Sequence, residues 1–119
     1  MSKPEIRLKR AYDPPAPSDG PRILVERLWP RGLARQRAKL DHWCKEVAPS
    51  AELRRWFGHD PARWPEFRRR YRAELKANAE EVAQLAKLCA GRHVTFVFAA
   101  RDEERNSAVV LREYLGASA

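Results

Sequence analysis

"HVTFVFAARD", residues 93–102, is the stretch on which the fold turns. Its first six residues are β-branched or aromatic almost without interruption. A run with no polar face suits a strand covered on both sides, as inside a parallel sheet. The pattern before it is helical: Val82, Leu85, Ala86 and Cys89 recur at spacings of three and four, and Gly91 ends the run. The pattern after it is helical too. Asp102 reads as the cap of a last helix that buries Val110, Leu111, Tyr114 and Leu115 and stops at Gly116. A buried strand between two amphipathic helices predicts an α/β layer structure.

Working outward, "EIRLKRAYD" (5–13) alternates Ile6 and Leu8 with Arg7 and Lys9 and reads as a first strand. "YDPPAPSDGP" (12–21) is a turn-rich loop. "RILVERLW" (22–29) is mostly apolar and reads as a second, central strand. "DHWCKEVAPS" (41–50) fits both a helix and a strand; the alternation of Trp43, Lys45 and Val47 favours a third strand ended by Pro49. Ser50 is placed to cap a helix holding Leu53, Trp56 and Phe57. Asp60-Pro61 opens another, with Trp64, Phe67, Tyr71 and Leu75 along one stripe. Asn78 and Glu81 resemble a capping box for the next. With no repeat or composition break, residues 1–119 are expected to form one domain, a small three-layer α/β sandwich. Its mainly parallel sheet would have three to four strands flanked by helices.

Lys and Arg number 24 against 16 Asp and Glu, a formal charge of +8. Such a surface attracts nucleic acid, phosphorylated metabolites and acidic partners alike, and charge by itself assigns none of them. Cys44 and Cys89 belong to no ligand pattern, and neither do His42 and His93, so reduced thiols and no metal are expected. No phosphate-binding, dinucleotide or nucleophile-elbow motif occurs, and no cofactor is implied. Without a signal-peptide pattern or an apolar run long enough to span a bilayer, the chain is expected to be cytoplasmic, with no membrane partner.

In an open parallel sheet, ligands bind at the carboxyl ends of the strands. Those ends carry Arg10, Tyr12 and Asp13 after the first strand, Arg27, Trp29 and Arg31 in and after the second, and Arg101 and Asp102 after the last. Guanidinium forks match phosphate and carboxylate, and aromatic rings stack on a flat ligand. For each residue a structural role competes: Arg27 in an ion pair, Trp29 over the core, Gly32 permitting a turn. The convergence also depends on strand direction. Were 11–21 a hairpin, Arg10 and Arg31 would lie at opposite edges. The arginines of "RWPEFRRRYR" (63–72) fall opposite the aromatic stripe, beside Glu66 and Glu74, and read as a solvated, ion-paired face. His59 next to Asp60 is a weaker acid/base candidate, because Asp60 already serves as a cap.

The stretches "IRLKRAYDPP", "DGPRILVERLWPRG", "APSAELRRWFGHDPARWPEFRRRYRAEL" and "VTFVFAARDEERNSAVVLREYL" together resemble the YeaO-like branch of the domain-of-unknown-function family 488, over nearly the whole chain. The resemblance implies a compact α/β domain. It picks out Lys9, Arg10, Tyr12, Asp13, Asp19, Gly20, Arg27, Trp29, Pro30, Arg31, Gly32, His59, Arg101, Asp102 and Asn106. Two departures stand out. Arg105 occupies the position before the motif asparagine where the family usually has histidine. Asn106-Ser107-Ala108 occupies the segment where more distant relatives carry a Cys-His-Arg cluster.

The resulting expectation is a protein that binds a phosphate-bearing or other anionic ligand, such as a nucleotide. Arg10, Arg27, Arg31 and Arg101 would grip it, Tyr12 and Trp29 would stack, Asn106 would assist, and Asp13 and Asp102 would be the acid/base candidates if there is turnover. The alternative is a nucleic-acid-binding or regulatory module using the basic surface, although the sequence lacks a helix-turn-helix and wing order. A third reading is an interaction module using the aromatic segment around Trp56, Trp64 and Phe67, which requires those rings to be exposed. Oligomeric state is left open.

Overall fold

The 93–98 run forms the expected strand, at the centre of a wholly parallel sheet. The computed structural model describes residues 4–116. Its strands are β1 (Glu5–Arg10), β2 (Arg22–Leu24), β3 (His42–Trp43) and β4 (His93–Phe98), in the spatial order β1-β4-β2-β3. β4 pairs with β1 from Glu5↔His93 to Arg10↔Phe98 and with β2 from Arg22↔Thr95 to Leu24↔Val97. β1 and β2 therefore run the same way on either side of β4. The hairpin alternative is excluded, and both carboxyl ends reach one edge.

Period-two alternation assigns the two faces. Val94, Phe96 and Phe98 join Ile6, Ile23 and Val25 in the main core, under α2 (Ala51–Phe57), α3 (Trp64–Ala77), α4 (Ala79–Cys89) and α5 (Ser107–Tyr114). Full burial of each of these larger side chains contributes about 1.5–3 kcal/mol. Leu24 and Val97 point the other way, with Ala11, under Trp29, Leu33, Leu40 and Trp43. That thinner layer includes the single turn of α1 (Arg35–Ala38). The aromatic stripe of α3 is internal: Phe67 and Tyr71 are buried, Phe57 stacks on Phe67 at 4.4 Å, and Trp64 lies 5.7 Å from Phe67. Trp56 and Trp64 are only half-exposed, and Arg70 lies over the Trp56 ring at 4.2 Å. These rings form no fully exposed apolar patch of the kind that the interaction reading requires.

Several elements differ from the sequence reading. β2 stops at Leu24 rather than running to Trp29, because after Val25 the chain leaves β4 to cover the thinner face. The 41–50 segment is a two-residue strand followed by a 3-10 turn, Lys45–Val47, so each reading held for part of it. Asn78 and Glu81 form no capping box. The Asn78 side chain donates instead to the Glu46 carbonyl. Ser50 and Asp60 do cap as expected, accepting from the N–H groups of Leu53 and Ala62.

The β1–β2 crossover has no α-helix, only a 3-10 turn at Pro17–Asp19. Asp19 ties it to the sheet: its carboxylate meets Arg22 Nη1 at 2.7 Å and Lys9 Nζ at 3.2 Å, and its carbonyl accepts from the Thr95 hydroxyl. Gly20 completes the turn at φ +62°, so close to β4 that a Cβ would stand 2.4 Å from the His93 carbonyl oxygen.

Candidate functional site

The chain after β2 lies on the thin face of the sheet, whereas the chain after β4 leads into α5 on the thick face. Neighbouring strands whose continuations part in this way leave a crevice at their carboxyl ends. A cavity of about 460 Å³ opens there. Tyr12 comes to it from beyond β1, Glu26 and Leu28 to Arg31 from beyond β2, Ala99 and Ala100 from beyond β4, and Arg105 to Ser107 from the start of α5. Arg54, Arg55, Phe57 and His59 close it from α2 and the turn that follows. Among the described residues the large apolar side chains that stay exposed are Tyr12 and Leu28, and both line this cavity.

Glu26 holds the two strands where they part. Val25 N–H still reaches the Val97 carbonyl, but the next donor, Ala99 N–H, is met by Glu26 Oε2 at 2.8 Å. The Glu26 carbonyl accepts from Trp43 Nε1 at 2.7 Å, which anchors the residue from the opposite face. Burial raises the pKa of the Glu26 carboxyl above its ordinary value. The Ala99 N–H and the charges of Arg54 and His59 oppose that rise without cancelling it. Arg54 Nε is shielded from water and has no partner among the described residues. His59 follows Gly58, and both adopt left-handed backbone, at φ 57° and 53°. For histidine this costs of order 1–3 kcal/mol, which the surrounding structure must offset. Asp60 N–H then reaches back to the Phe57 carbonyl, while the Asp60 carboxylate accepts from Ala62 N–H and pairs with Arg63, not with His59.

Of the residues expected at the site, Tyr12, Trp29, Arg31 and Asn106 line the crevice. Tyr12 donates to the Arg31 carbonyl at 2.8 Å. Trp29 donates Nε1 to the Leu33 carbonyl, meets Trp43 edge-on at 5.6 Å and lies under Arg35 at 4.6 Å, so it serves the thin core as well as the cavity wall. Asn106 is buried and committed to the backbone: Oδ1 caps α5 by accepting from Val109 N–H, and Nδ2 donates to the Asp102 carbonyl. That corrects the expected cap, which is Asn106 and not Asp102.

The others lie outside the lining. Arg10 donates to the carbonyls of Ala99 and Ala100 and steadies the loop after β4. Arg27 donates to the carbonyls of Ala48 and Pro49. Arg101 is exposed, and Asp13 sits in the turn after β1. Asp102 accepts from the N–H groups of Glu104 and Arg105, which hold its carboxyl below the usual range. Glu26, Arg54 and Arg55 were not anticipated. Glu26 carried a signal, a lone carboxylate in an apolar strand. Arg54 and Arg55 sit on a short helix remote in sequence from the other lining residues, and nothing local marks them.

A protein family described as the inactive DUF488-N3 subclade matches residues 5–119. An uncharacterized protein of Mycobacterium tuberculosis is 44% identical over 110 residues, 92% of each chain. The uncharacterized protein YeaO of Escherichia coli is 42% identical over 110 residues, 92% of this chain and 96% of its own. No solved structure matches the chain.

Proposed function

Since this chain belongs to the inactive DUF488-N3 subclade, we propose that it binds a phosphate-bearing or other anionic small molecule in the crevice between β2 and β4, without turning it over. The observation that carries the reading is Arg54. Its side chain lines a cavity that Arg31 and Arg55 also line, and its Nε finds no partner among the described residues. Guanidinium forks fit phosphate and carboxylate oxygens in pairs.

Binding without chemistry is favoured by the description of the subclade as inactive. It is favoured also by the fate of the acid/base candidates. Asp13 stands away from the cavity, and Asp102 is held ionised by its own turn, which makes it a poor proton donor near neutrality. The segment Asn106-Ser107-Ala108 brings a backbone cap and a serine hydroxyl, without the thiol and imidazole of the Cys-His-Arg cluster. Nucleic acid is less well supported, because much of the α3 basic face is already paired. Glu66 meets Arg69 and Arg70, and Glu113 meets Arg68.

Thermal unfolding with inorganic phosphate, sugar phosphates, nucleotides and short oligonucleotides, at low and high salt, tests this on the wild type and Arg54→Ala. A small phosphate compound is expected to shift the wild type in a salt-tolerant way and to leave Arg54→Ala unmoved. Ligand at a hundred times its dissociation constant adds about 2.7 kcal/mol, a shift of several degrees. An effect confined to oligonucleotides and lost at high salt would transfer the site to the basic surface. No shift, or equal shifts in both proteins, would overturn the proposal.

A further inference from the structure

A carboxylate stands among the guanidiniums of this crevice, and it points to a ligand more elaborate than a bare anion. Glu26 is fixed at both ends, by Ala99 N–H on Oε2 and by Trp43 on its carbonyl. Among the described residues no donor meets Oε1, and no arginine or lysine forms an ion pair with Glu26. Arg54, which lines the same cavity, acts on the carboxylate only through space and does not cancel the cost of its burial. In a site for phosphate alone, a rigid carboxylate would only repel the ligand. Burial raises its proton affinity further, which adds to the cost of keeping it ionised there.

Leu28, Pro30, Pro49 and Phe57 add an apolar wall. The cavity, at about 460 Å³, lies in the range of about 300–1,000 Å³ that organic ligands occupy. A flat ring with a hydrogen-bond donor satisfies both the walls and the free acceptor. An ammonium group would satisfy only the acceptor.

We propose that the ligand is an anion joined to a flat, donor-bearing ring, as in a nucleoside monophosphate with an exocyclic amine. The ring lies on the apolar wall, its N–H donates to Glu26 Oε1, and the phosphate meets Arg54 and its neighbours. This rests on the anion-binding reading above.

Calorimetry with guanosine monophosphate, ribose 5-phosphate and O-phosphorylethanolamine tests it on the wild type, Arg54→Ala and Glu26→Gln. The nucleotide is expected to bind the wild type tighter than ribose 5-phosphate by about tenfold or more, the worth of one hydrogen bond to a charged acceptor. Glu26→Gln can keep an oxygen on Ala99 N–H while presenting NH₂ to the cavity. It should weaken the nucleotide by about tenfold or more, the loss of that hydrogen bond, without weakening ribose 5-phosphate. Equal binding of the two by the wild type, which needs no variant, overturns the inference. So does tighter binding of O-phosphorylethanolamine, or a nucleotide preference that is undiminished in Glu26→Gln. In those cases loss of ribose 5-phosphate binding in Arg54→Ala would leave the anion reading standing. Failure of every probe to bind the wild type removes both.

Discussion

Glu26 occupies the point where two parallel strands cease to pair, and its carboxylate takes the place a backbone carbonyl would otherwise hold. That substitution has a measurable consequence. The folded carboxyl has a raised pKa, so between the ordinary value of 4.5 and the raised one the native state binds more proton than the unfolded chain. Its stabilising contribution is complete below 4.5 and lost as pH rises through the folded value. Thermal unfolding across that window is expected to show Glu26→Gln losing less stability with rising pH than the wild type. Parallel profiles would mean that Glu26 titrates normally. The sequence marked this residue as unusual, an acid within "LVERLW" (24–29), but not the donor it would meet. Ala99 is 73 positions away and is brought near only by sheet formation.

The start of α5 turns on a competition between two good caps. Asp102 and Asn106 both suit an N-cap, and local propensity does not choose between them. The amide decides. Asn106 accepts from Val109 N–H and at the same time donates to the Asp102 carbonyl, which a carboxylate cannot do, while Asp102 closes the turn before it. Asn106→Ala is expected to lose about 0.5–2 kcal/mol in urea denaturation, and Asn106→Asp, which keeps the acceptor, to lose less. Equal losses would show that the amide donation, not the cap, supplies the stability. β2 carries the complementary lesson. Its apolar residues continue past Leu24, yet pairing stops because Trp29 and Leu33 are needed to cover Val97 and Ala11 on the open face. Hydrophobic pattern predicts burial there correctly and pairing incorrectly.

Across the whole molecule, a crossover without an α-helix must be fastened by something else. Asp19 supplies it through Lys9, Arg22 and the N–H of Ala16. Burial alone would raise the Asp19 pKa, but the Ala16 N–H, Lys9 and Arg22 outweigh it and hold the carboxyl below its usual 3.8. The contribution is therefore present above 3.8 and lost as pH falls through the lower folded value. Removing one partner of a buried pair costs about 3–5 kcal/mol, a large share of a small domain's stability. Asp19→Asn should show that loss in urea denaturation at neutral pH and converge on the wild type in strong acid. A constant difference at all pH would assign the effect to packing. The charge of +8 acts on this scale too. Much of it on α3 is spent locally, with Glu66 held to about 2 by Arg69 and Arg70, so net charge overstates how many cations are free for a partner.

From the sequence alone came most of the elements and the sheet edge at which the crevice opens. The continuous apolar run of 93–98, the helical stripes and the strand-end arginines follow from local periodicity and residue type, which act over a few positions. Tertiary structure alone decided which of those residues face the cavity. Arg10 and Arg27 became backbone clamps once the loops carrying Ala48, Ala99 and Ala100 came within reach of their guanidiniums. Glu26, Arg54 and Arg55 became neighbours only when α2 packed beside the parting ends of β2 and β4. Contacts between residues far apart in the chain depend on the order of the strands in the sheet, and no local pattern encodes that order.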